Sequence, residues 1–141
     1  MAYIGQNGIA LDKKEGDKKT PEGIFDLGIA FGMNATIDNN KIEYKNIDEY
    51  LYWVDDINSK YYNQLVDSRN INKDWKSAEH VIEIKSNPEN KKGKGSAVFL
   101  HCSNSKATSG CVAIDKKTMQ ELMNIIDGNA IIIIQGKNKK E

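Results

Sequence analysis

The chain has 141 residues, one domain's worth, and a core of that size needs no disulfide or metal to staple it. Apolar residues make up 39% and charged residues 28%, as in ordinary globular proteins. Lys plus Arg and Asp plus Glu both total 20, and this zero net charge argues against a nucleic-acid partner held by bulk positive charge. The longest apolar run, Ala130 to Ile134, is too short to span a bilayer. No signal peptide opens the chain. The start, YIGQNG, already reads as a strand end entering a turn, which suggests a trimmed chain. There is no fixed-period repeat, so we expect one domain over residues 1–141, acting as a monomer.

Turns dominate the N-terminal third. Asn7-Gly8 is a two-residue hairpin signal. The stretch KKEGDKKTPEG, with Gly16, Pro21 and Gly23, predicts a charged, solvated hairpin loop; its charges would also suit a peptide substrate. IFDLGIAFG predicts a strand with a glycine interruption, and ATIDNNKIEYKNI a second hairpin about Asn39-Asn40. In the middle, Tyr50, Tyr52 and Trp53 fall in an expected strand. SKYYNQLV predicts one or two helical turns capped by Ser59. Tyr52, Trp53, Tyr61 and Tyr62 divide between core packing and the lining of a groove. AEHVIEIKS predicts a strand on Val81, Ile82 and Ile84, and NPENKKGKG a solvated loop.

The C-terminal third is patterned more clearly. GSAVFLHC predicts a strand with Ala97, Phe99 and His101 on one face and Val98, Leu100 and Cys102 on the other. The polar loop SNSKATSG then leads to a short strand, CVAI. DKKTMQELMNIIDG predicts a helix with Asp115 as N-cap and Gly128 as stop. Met119, Leu122, Met123 and Ile126 recur at helical spacing and form one buried stripe. AIIIIQG closes the pattern as a fully buried strand. Short strands separated by turn signals, with one good helix, predict a mainly β domain.

The stretch HCSNSKATSGCVAID carries both cysteines and one of the two histidines. Zinc wants four ligands, often in tight pairs. Here the cysteines stand nine apart, and His101 and Cys102, adjacent on a strand, point to opposite faces. We therefore expect no metal and no cofactor. Cys102, on the face of Val98 and Leu100, reads as a buried free thiol rather than half of a disulfide. Cys111 follows a glycine at a loop–strand junction, where a thiol can be exposed on a held backbone. The amides of Gly110 and Cys111 are placed to meet an oxyanion there, and His101 to act as base. On the residues alone, the alternative is two satisfied core side chains.

GSAVFLHC…TSGCVAI resembles the signature of the L,D-transpeptidase catalytic domain, the YkuD or ErfK family: a histidine near a strand end, a loop, then Ser/Thr-x-Gly-Cys. IGQNGIALDKKEGDKKTPEGIFDLGIAFG resembles the family's N-terminal block, and YLYWVDDINSKYYNQLV with AEH the middle block of a small-protein branch. The resemblance runs from Tyr3 to about Ile134. It implies a β-sandwich-like or barrel-like arrangement of mixed sheets. It also implies a cysteine acyltransferase acting on peptidoglycan stem peptides outside the cytoplasmic membrane, with a signal or anchor absent from this chain. The cysteine attacks the carbonyl of the third stem residue, releases the terminal D-alanine, and passes the acyl group to the amine of a second stem. Carried over by position, Cys111 is the nucleophile, His101 the base, the Cys102 carbonyl orients the imidazole, and Gly110 and Cys111 supply the oxyanion hole.

Three departures bear on the substrate. The loop from His101 to Cys111 is shorter than in many members. Ser109 stands where many have histidine, and Ala113 where many have an arginine suited to bind a carboxylate. Ser109, His80, Glu79 and Trp53 are further candidates for contact with substrate; the plainer reading of His80 is a strand histidine bonded within the fold. Two other functions share these motifs. An L,D-carboxypeptidase would resolve the same acyl-enzyme with water. A non-catalytic peptidoglycan-binding module would keep the fold without turnover.

Overall fold

A computed structural model describes residues 1–32, 39, 41–46, 51–67 and 80–136. The described chain is mainly β, as its sequence predicts. Its strands are β1 (Ala2–Tyr3), β2 (Ile9–Ala10), β3 (Thr20–Pro21), β4 (Gly23–Gly32), β5 (Tyr44–Asn46), β6 (Leu51–Trp53), β7 (Leu65–Asp67), β8 (Val81–Ile84), β9 (Phe99–Cys102), β10 (Val112–Ile114) and β11 (Ile131–Ile134). The helix α1 (Lys116–Ile125) lies between the last two. Seven strands form one curled, mixed sheet in the order β1-β10-β9-β8-β4-β11, with β5 also on β4. The pairs β2–β3 and β6–β7 stand apart from it.

β4 organises the sheet because it is long and bent. Its first half pairs with β11 and its second with β8, and the register slips between Leu27 and Ala30. The bulge falls at the expected glycine interruption, Gly28. A Cβ there would stand 2.3 Å from the Glu83 carboxylate. Burial pushes the Glu83 carboxyl up, against the pull of the Ile29 N–H and of Lys85.

The core lies between the sheet and α1. Val98, Leu100 and Val112 pack with Ala30, Ile82, Ile84, Met119 and Met123, all buried. Asp115 caps the helix as expected: its side chain accepts from the Thr118 N–H at 3.0 Å. The stop comes earlier than Gly128, because Ile126 already turns to an extended backbone.

Several local expectations are corrected. The Asn7-Gly8 turn forms, with the Gly8 N–H donating to the Gly5 carbonyl at 2.9 Å, but it closes no hairpin. Its flanking strands take distant partners, β10 for β1 and β3 for β2. SKYYNQLV makes tight turns and then β7, with Asn63 in the left-handed region (φ 59°), so no helix propagates. β5 pairs in parallel with β4; the other arm of the hairpin expected about Asn39-Asn40 lies outside the described residues, as does Tyr50. The strand expected from Gly95 begins only at Phe99, because Ala97 is left-handed (φ 52°). β11 is not fully buried. It ends the sheet order, and Ile131 and Ile133 stay 54% and 57% exposed while Ile134 enters the core. An unbroken run of isoleucines hides that alternation, because both faces of the strand carry the same residue.

Candidate active site

β9 and β10 run parallel, with Val112 beside Leu100 and Ala113 beside His101. A parallel pair needs a connection that travels back along the sheet. Here the 103–111 loop does so without a helix, and Thr108 bridges to Gly5 on the way. The return sets Cys111 at the entry of β10, beside Phe99: the Phe99 N–H donates to Cys111 Sγ at 3.4 Å. Paired residues share a face, so His101 and Phe99 look away from the helix while Leu100 and Cys102 look toward it.

The imidazole is fixed. His101 Nδ1 lies 2.8 Å from the Cys102 carbonyl oxygen, which can only accept, so Nδ1 carries the proton and Nε2 is left as the acceptor. The resting thiol is bonded elsewhere. Cys111 S–H donates to the Ala97 carbonyl at 3.3 Å, and no hydrogen bond joins sulfur and imidazole. Burial pushes the Cys111 thiol above its ordinary value; the Phe99 N–H and the Lys13 ammonium pull it down without cancelling that effect.

Two threonines hold the cysteine's backbone. Thr20, wholly buried on β3, accepts the Gly5 N–H at 2.8 Å and donates to the Gly110 carbonyl at 2.9 Å. Thr108 donates to the Cys111 carbonyl at 2.6 Å and accepts the Gly110 N–H at 3.1 Å. The Gly110 amide, expected in the oxyanion hole, is therefore engaged in this arrangement. The Cys111 N–H has no acceptor among the described residues. Gly110 itself sits at φ 140°, and a Cβ there would meet the Lys19 carbonyl at 3.0 Å and Lys13 Nζ at 3.3 Å.

A cleft of about 260 Å³ opens beside the sulfur, with Lys13, Glu15, Ser109, Gly110, Cys111 and Ala97 among its walls. The 11–19 loop is thus no free hairpin. Lys13 and Asp17 form a largely covered ion pair, and Glu15 accepts from the hydroxyls of Tyr62 (2.6 Å) and Ser96 (2.9 Å). Tyr62 is buried, and burial together with the Glu15 carboxylate pushes its phenol up to about 12.

The remaining candidates separate. Ser109 is exposed at the cleft wall. Trp53 packs on Phe31 and Phe99 and donates to Asn63 Oδ1 at 2.9 Å; the same oxygen accepts the Ala97 N–H at 3.1 Å. The tryptophan thereby steadies the carbonyl that holds the thiol. His80 is buried, with Nδ1 3.2 Å from the Tyr44 hydroxyl, one residue from Val81 and so on the opposite face from His101. Glu79 lies outside the described residues. Asn63 was not legible as part of the site, because its partners lie far along the chain. Thr108 was legible only as the first residue of Ser/Thr-x-Gly-Cys, and Lys13 and Thr20 only as members of the charged N-terminal block, without the contacts that place them beside Cys111.

The family model of the YkuD L,D-transpeptidase catalytic domain matches residues 2–134, a span that takes in the cleft, both threonines and α1. Searches of curated proteins and of solved structures return no match. Among the described residues, no helix is long and apolar enough to cross a membrane.

Proposed function

The chain belongs to the L,D-transpeptidase catalytic domain family, and from that premise we propose that it is a cysteine acyltransferase of peptidoglycan stem peptides, working outside the cytoplasmic membrane as one domain. The observation that carries this reading is the His101 tautomer. Its Nδ1–H is tied to the Cys102 carbonyl, which leaves Nε2 to take a proton one strand away from the thiol.

In the proposed reaction the Cys111 thiol turns from the Ala97 carbonyl and gives its proton to His101 Nε2. The thiolate then forms a bond to the carbonyl carbon of the third stem residue. The negative charge that develops on that carbonyl oxygen meets the Cys111 N–H. Collapse breaks the peptide bond, the imidazolium protonates the leaving amine, and D-alanine departs. The thioester is next attacked by the amine of a second stem. His101 receives the amine's proton, and the sulfur leaves to recover it as the new amide forms.

The test is incubation with a disaccharide tetrapeptide, with and without an acceptor amine, followed by mass analysis of protein and products. We expect an acyl adduct on Cys111, release of D-alanine, and a cross-linked product with acceptor. In Cys111→Ala all three should disappear, a loss on the order of 10⁴-fold or more. Tripeptide as the only product would mark a carboxypeptidase. Binding of wall fragments with no adduct would sink the catalytic reading.

A further inference from the structure

The feature the reaction leaves unused is the Lys13 side chain. Only 9% of it is exposed, which is unusual for a lysine. Its stem passes between two glycines in the left-handed region, Gly95 (φ 107°) and Gly110 (φ 140°). A Cβ on Gly95 would touch Lys13 Cγ at 3.0 Å, and one on Gly110 would lie 3.3 Å from Nζ. Side chains at either position would crowd the lysine. The ammonium therefore rests against the residue preceding the nucleophile, in the wall of the same cleft.

The charge is also held in place. Nζ donates to Asp17 Oδ1 and, at 3.2 Å, to the Lys14 carbonyl. Asp17 is fixed in turn by the Lys14 and Lys19 N–H groups at 2.8 and 2.9 Å. The Glu15 N–H ties the loop to the Gly93 carbonyl. Holding a covered cation in one spot favours an anion next to it. The other charges near the sulfur are less well placed. Glu15 is occupied by two hydroxyls, and Lys18 and Asp55 are exposed at the rim. His101 stands on the neighbouring strand.

We propose that Lys13 is a positioning residue whose fixed ammonium stabilises the Cys111 thiolate. The proposal rests on the reading above only in taking Cys111 as the reactive thiol. Alkylation needs no stem peptide, so its outcome is separate from whether cross-linking is observed.

The experiment is the rate of Cys111 alkylation by iodoacetamide against pH, read by peptide mapping on the full chain. In Lys13→Met the rate near neutral pH should fall about tenfold, with the curve displaced to higher pH. Lys13→Arg, which keeps the charge, should follow the parent. A variant that merely unfolds would alkylate faster, because the burial that opposes ionisation is lost. The proposal is overturned if Lys13→Met keeps the parent curve. It is equally overturned if Lys13→Arg slows as much as Lys13→Met; that result would mark damage to the loop rather than loss of a charge.

Discussion

Each face of the central sheet carries one cysteine and one histidine, and the two faces use them differently. Toward the helix, Cys102 is only partly buried and packs against the core cluster that holds Leu100 and Met119, and His80 is closed off against Tyr44. Toward the cleft, Cys111 is held by its backbone and donates its thiol to the Ala97 carbonyl, while His101 is held through Nδ1 by the Cys102 carbonyl. Residue type does not separate these pairs. The difference lies in what surrounds them: apolar side chains on one face, and hydrogen-bonded loops of distant origin on the other.

The sharpest way to break this comparison is one substitution made on both faces. His101→Gln should cut turnover by about 10²–10⁴-fold, the usual worth of a positioned base. His80→Gln should leave it within about threefold, since the sheet stands between that ring and the sulfur. Equal losses in steady-state assays would erase the distinction between the faces.

The helix face should answer in stability instead. Met119 is fully buried, so Met119→Ala should cost about 2–5 kcal/mol in denaturant unfolding, with alkylation of the surviving folded protein little changed. Thr20→Val tests the cleft side at nearly constant volume. It strands the Gly5 N–H and the Gly110 carbonyl, and we expect about 1–3 kcal/mol of lost stability together with reduced turnover, because the cysteine's backbone loosens. Loss of stability alone would reduce Thr20 to a packing residue.

The smallest effect is in the pH response. The Tyr62 phenol is raised to about 12 from 10.0 by burial and by Glu15. A raised folded value means that the folded state keeps its proton longer than the unfolded one. Its contribution is therefore whole below pH 10 and drains away as pH rises toward 12. Melting temperature should fall more steeply across that window in the parent than in Tyr62→Phe, and parallel curves would remove Tyr62 from the account.

The sequence by itself determined what short-range periodicity and linked motifs can encode. The two faces of β9 follow from alternation, and the helix stripe and the Asp115 cap from 3.6-residue spacing and local hydrogen bonding. The family was likewise visible in three motifs that span almost the whole chain. Tertiary structure decided the rest. An all-isoleucine strand looks alike on both faces, so only its place at the end of the sheet shows that β11 is half exposed. Asn7-Gly8 specifies a turn but not the strands beside it, whose partners lie far along the chain. Lys13 and Thr20 join the site from about 90 residues away. A contact at that separation leaves no local pattern: its closure is offset by packing and hydrogen bonding across the whole fold, not by any segment that can be read alone.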